Sequence, residues 1–299
     1  MDLANALEPF AYAFFQKGFL VAGLSGALLG FIGVYITLRG MSYIGHGLSH
    51  AIFGGFAAAS LVGASFIYLG AGVWGLASAL GINWVSRKYR IGADAAIGVI
   101  TTASFALGVA LLTRYGASGS PSFDNALFGS IYGISSDQIV MLVLVTAATA
   151  AFVFLQYRPL LYSTFDPEVA AVTGVNVART EALLMLVLSL SILATLTVIG
   201  VTLVAAMLVI PAVVARMLTD RFARMLVIST TIGAACGLVG MYVSYWAAVP
   251  SGTMIVLTGA AVFVAVLGFT GARGMRRTAG MDDHTDADEL APATTAARS

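Results

Sequence analysis

Two of the three histidines in this chain, His46 and His50, stand four residues apart in the stretch RGMSYIGHGLSHAIFGG. On a helix, positions i and i+4 share one face, with Cβ atoms about 5–6 Å apart. Two imidazoles so placed can grip a single ion, and imidazole is the commonest protein ligand for transition metals. Depth fits as well. Counting from Arg39 at a rise of about 1.5 Å per residue puts His50 about 16 Å along the segment, near the middle of a hydrocarbon core about 30 Å thick. One histidine there would read as a packed side chain bonded to a neighbouring carbonyl. Two on one face read as part of an ion path, because ionisable groups inside a membrane are costly and mark functional routes. The stretch is not a zinc-protease motif, since Gly47 stands where that motif needs a glutamate to activate water.

The residues around the pair bear on how it is held. Gly47, Ala51, Gly55 and Ala59 form a small-residue stripe beside His46, His50, Gly54 and Ala58. Such stripes let membrane helices approach closely. Generic helix packing is expected of the stripe in any case; because it also adjoins the histidines, it is compatible with a site where helices of two subunits meet and two copies supply four imidazoles. Asp94, at the start of another apolar run, reads as a helix cap that also favours the helix dipole rather than as an ion ligand. A second constellation is FDPEVAAVTG. Asp166 is placed as an N-cap, Pro167 at the first helical position and Glu168 in an acidic first turn. Val169, Ala170 and Val172 then give a short apolar face, and Gly174 stops the helix. Such a helix either docks a partner or rests on the membrane surface, and an apolar stripe looks the same in both cases.

The elements that must position these groups are set by composition. Of the 299 residues 59% are hydrophobic and only 10% charged, and mean hydropathy is +0.94. A soluble domain carries about 25% charged residues, so this chain cannot coat a water-facing surface. The net charge of +1 gives no field to attract nucleic acid. Cys236 is the single cysteine and lies in an apolar run, which excludes a disulfide framework and a Cys metal cluster. The first residues carry Asp2 and Glu8 and no basic start, so no cleavable signal peptide is expected.

Apolar runs fall at about 18–38, 43–64, 66–86, 93–113, 138–157, 182–201, 202–218, 225–247 and 253–271. In lipid each must be a helix, because every backbone polar group has to be satisfied within its own segment. The fold class is therefore all-α, a polytopic transmembrane bundle of eight to nine segments. The count turns on the seventh run, which follows the sixth at Gly200 without a polar loop and contains Pro211, so that a broken or re-entrant helix also fits. With the N-terminus outside and nine passes, every Lys and Arg except Lys17 and Arg114 falls on one side, which is then cytoplasmic. Residues 114–137 become an external loop and 158–181 a long internal one. Residues 1–272 read as one transmembrane domain. Residues 273–299, which include His284 among several aspartates, read as a disordered cytoplasmic tail.

From about Phe14 to Leu267 the chain resembles the permease subunit of the zinc/manganese/iron (ABC-3 type) class of ATP-binding-cassette importers. The resemblance is carried by RGMSYIGHGLSHAIFGG, ADAAIGVITTASFALGV, FDPEVAAVTGV, VIGVTLVAAMLVIPAVVARMLTD and VPSGTMIVL, in that order. It implies a permease homodimer in the bacterial cytoplasmic membrane, a separate cytoplasmic ATPase and an extracytoplasmic metal-binding protein. It also implies that Asp166 to Gly174 form the helix that couples to the ATPase. The family's usual ligand pair is an Asp and a His four residues apart. The His falls on His50, and His46 stands in place of the Asp, exchanging a hard oxygen for a nitrogen. That exchange leans towards zinc with manganese close behind, iron remaining possible. The chain is expected to be a transport subunit and not an enzyme, holding no permanent cofactor, with the divalent metal as cargo. It contains no G-x-x-x-x-G-K-[ST] loop. A stand-alone channel or secondary transporter is the competing reading. An intramembrane metalloenzyme is disfavoured, because no carboxylate in a spanning segment is placed as a general base.

Overall fold

The apolar runs become helices because nothing else satisfies their backbones, and each of the nine coincides with one. The computed structural model describes residues 7–63, 66–89, 92–115 and 134–289, without the side chains at 197–198, 201–202 and 271–289. Most of the external loop after Arg114, and residues 290–299 of the tail, lie outside the described residues. Among those described, all regular structure is helical. After a 3-10 turn at Glu8–Ala11 come α1 (Ala13–Leu38), α2 (Ile44–Ser60), α3 (Ile67–Tyr89), α4 (Ala93–Tyr115) and α5 (Ser136–Leu155). Two short helices follow, α6 (Tyr157–Phe165) and α7 (Pro167–Val172), and then α8 (Val177–Ile199), α9 (Val201–Leu218), α10 (Phe222–Ala247) and α11 (Ser251–Glu289). The backbone of α11 continues as helix through part of the segment read as a tail.

By length and composition α1, α4, α5, α8, α10 and α11 each qualify to cross a membrane. The seventh run, for which a broken helix also fitted, is one continuous helix, α9, with Pro211 inside it. Buried Leu203, Val204, Met207, Leu208, Ala212 and Ala215 make α9 a central helix. Its neighbours α1, α10 and α11 enclose it, which is how a proline is tolerated within an apolar bundle.

Small residues set the closest helix contacts. Helices α1 and α10 run antiparallel, with Ala22 opposite Gly237, Gly26 opposite Gly233 and Gly30 opposite Ser229. A side chain at Gly26 would overlap the Gly233 carbonyl, so only glycine allows this separation. Ser229 donates to the Gly30 carbonyl at 2.5 Å, closing the contact with a hydrogen bond in an apolar setting. Cys236 is buried in the same helix as a free thiol.

Charged and aromatic side chains gather at opposite ends of the bundle. Arg39 after α1, Arg87 near the end of α3 and Glu181 in the first turns of α8 converge at one end of the bundle. At the opposite end Phe15 and Tyr245 meet edge-on at 5.5 Å, and Tyr245 also meets Trp246 edge-on at 5.5 Å. Aromatic residues gather at an interface in this way because their rings are apolar and their tips polar.

Candidate metal path and docking helix

Helix α2 starts one short turn after α1 and presents His46 and His50 on one face. Their ring centroids are 4.5 Å apart, with planes inclined at 72°. Both are half-buried. Tyr43 lies 5.5 Å from His46, and the Phe105 ring of α4 meets His50 edge-on at 4.8 Å. At Nδ1, His50 does not show the carbonyl bond that a simply packed histidine would make. Its Nδ1 is buried and has no hydrogen-bond partner among the described residues. An unmet ring nitrogen in an apolar bundle is costly unless a ligand meets it. No third His, Cys, Asp or Glu joins the pair among the described residues. One chain therefore offers two imidazoles.

The small-residue stripe packs helices together within the chain. Gly47 packs on Ile97 and Thr101 of α4, Gly54 on the backbone of Ser104, and Gly55 on Trp74 of α3. Ala59 lies against Gly70 of α3. The stripe is filled by α3 and α4 of the same chain, because glycines on α2 let those two backbones come close. It thereby fixes the rotation of α2 and holds the histidine pair beside α4. Asp94 sits exposed in the first turn of α4, where a carboxylate complements the helix dipole.

The segment 158–181 folds as its sequence suggests. Asp166 caps α7, accepting from the Val169 amide through Oδ1 at 2.9 Å, with Pro167 at the first position and Glu168 in the first turn. At the far end the Val175 amide bonds the Ala170 carbonyl at 3.0 Å and the Gly174 amide bonds Ala171 at 3.2 Å. That pattern requires a left-handed residue, and Gly174 supplies it with φ of +85°. One residue departs from the expected apolar face. Ala170 is fully buried where α7 rests on α6 and α8, so it anchors the helix instead of facing out. The outward face is Val172, 85% exposed, with Val169 at 47%.

Sequence reasoning did not find the polar node behind α7. Arg39 donates through Nη2 to Ser163 Oγ at 2.8 Å and through Nε to Thr164 Oγ1 at 3.2 Å, both in the last turn of α6. Its Nη1 lies 3.7 Å from Glu181, which also pairs with Arg87. Burial pulls the Arg39 pKa below its ordinary value, and Glu181 opposes that shift. The node borders a cavity of about 370 Å³ that also touches Asn83 and Pro167. Its only trace in the sequence is a set of charges at the ends of three helices.

The family model described as the ABC 3 transport family matches residues 11–270. The chain belongs to this family. A manganese transport system membrane protein of Listeria monocytogenes is 36% identical over 88% of this chain and 93% of its own. The protein of the same description in Halalkalibacterium halodurans is 37% identical, over 89% and 90%. Among solved structures, a chain of PsaBC from Streptococcus pneumoniae in complex with Fab aligns with a TM-score of 0.78. It is 30% identical, and the match covers 89% of this chain and 95% of that one. This ABC 3 permease is accordingly a multi-pass protein of the bacterial plasma membrane.

Proposed function

We propose that the chain is the permease subunit of an ATP-driven importer of divalent transition-metal ions, with manganese as its cargo. The observation that carries this is the imidazole pair on α2 with the orphaned Nδ1 of His50, a metal-ligating group left without a partner inside the bundle. Manganese is favoured because relatives alike over nine-tenths of their length are described as manganese transport proteins. In this reading His46 and His50 form a transient site, completed by a second copy of the chain, since two ligands are too few to replace a metal's water. An extracytoplasmic binding protein delivers the ion. A separate cytoplasmic ATPase docks on the outward face of α7 through Val169 and Val172.

A second cargo, zinc, is favoured by one feature. Two nitrogen donors suit zinc better than manganese, which prefers carboxylate oxygen. Reconstituting the permease with its ATPase and binding protein in vesicles separates these readings. ATP-dependent accumulation of Mn2+ is expected, and accumulation of Zn2+ alone would replace manganese as the cargo. Metal flux that needs no ATP would instead make the chain a channel or secondary transporter.

A further inference from the structure

We infer that Arg39 is a positioning residue that ties the ATPase-docking helix to the histidine helix, so that movement of α7 is delivered to His46 and His50. The inference rests on the proposed function, and it names the link within that mechanism. Each joint is present in the fold. On one side, Arg39 grips Ser163 and Thr164 with two separate N–H groups. Both hydroxyls keep their own protons on the Leu160 carbonyl, at 3.2 and 2.7 Å, so their lone pairs are free to accept from Arg39. Two residues further on, Asp166 caps α7, and no flexible linker intervenes.

On the other side, Arg39 ends α1 and leads straight into α2. The Met41 amide bonds the Ile36 carbonyl at 3.0 Å, the Gly40 amide bonds Thr37 at 3.2 Å, and the Ile44 amide bonds Met41 at 2.9 Å. Gly40, with φ of +69°, makes that tight closure possible. Successive hydrogen bonds make the turn stiff, so a shift at Arg39 is carried into α2 rather than absorbed. His46 begins two residues into that helix.

Glu181 makes the node suited to movement. It is shared by Arg39 and Arg87, and so balances the buried guanidinium without holding it in a single bidentate clasp. The cavity bordered by Arg39, Glu181 and Pro167 leaves space on the side where α7 starts. A link between two arrangements needs such room, because packed interiors do not deform continuously.

The test uses the vesicle-reconstituted complex and reads Mn2+ transported per ATP hydrolysed. Arg39→Ala leaves Glu181 paired with Arg87, so no buried carboxylate is stranded. The expected result is an assembled complex that still hydrolyses ATP, with the transport ratio down about tenfold, a size typical of site-to-site coupling. Arg39→Lys keeps the charge but replaces the rigid two-pronged fork with a single mobile ammonium, so it should keep the wild-type melting temperature and still transport poorly. Ser163→Ala/Thr164→Val removes the acceptors alone and should give the same loss, with no further loss when Arg39→Ala is added. A wild-type ratio in Arg39→Ala, or losses that multiply in the triple variant, would overturn the inference. If Arg39→Ala fails to assemble, the double hydroxyl variant decides by the same ratio. Absence of ATP-driven Mn2+ uptake in the unmutated complex would instead defeat the proposed function.

Discussion

Replacing Val172 with Asp isolates the proposed contact with the ATPase from everything else. Val172 is the last residue of α7 and is 85% exposed, so the bundle makes almost no use of it. Folding should therefore change by no more than about 0.5 kcal/mol, the usual range for surface substitutions. Binding should change far more. Filling a groove with a valine contributes about 1.5 kcal/mol, which the variant forfeits. Desolvating an unpaired carboxylate in that groove costs a further 2–3 kcal/mol or so at a contact that relaxes and admits some water. Together these come to roughly 4 kcal/mol, about a thousandfold in dissociation constant. Titrating purified ATPase against the solubilised permease reads this directly, and a melting curve of the permease alone provides the control. Full-strength ATPase binding by a Val172→Asp protein with an unchanged melting curve would refute the docking argument, and α7 would then be a helix lying on the membrane.

Three further outcomes test the site and the packing. His50→Ala should reduce Mn2+ uptake to background while the complex still assembles, and normal uptake would remove His50 from the path. His46→Asp exchanges a nitrogen donor for oxygen and should raise Mn2+ uptake relative to Zn2+, measured in one competition assay. An unchanged ratio would mean that selection occurs elsewhere. Gly26→Val puts a branched side chain where the α1 and α10 backbones meet, and should destabilise the bundle by about 3 kcal/mol, the upper end for overpacking. A detergent melting temperature equal to wild type would show that these helices can separate without cost.

The sequence by itself determined the solvent, the helices and the candidate ligands. Apolar runs in lipid have one backbone solution, so each of the nine came out as a helix, and the i, i+4 spacing of His46 and His50 sufficed to put their rings 4.5 Å apart. The caps of α7 were equally legible, because Asp166, Pro167 and Gly174 act through their own and adjacent backbone bonds. Tertiary structure decided whatever depends on which face meets which neighbour. The glycines of α2 could have joined two subunits or two helices of one chain, and only the packing showed that α3 and α4 take them. Ala170 looked as available as Val172, yet six residues of helix expose one and bury the other. Arg39, Ser163, Thr164 and Glu181 are separated by up to 142 positions in sequence, and their hydrogen bonds have no local signature. Local chemistry repeats within a few residues and can be read along the chain. Contacts between distant segments exist only once the helices have chosen their rotations and their partners.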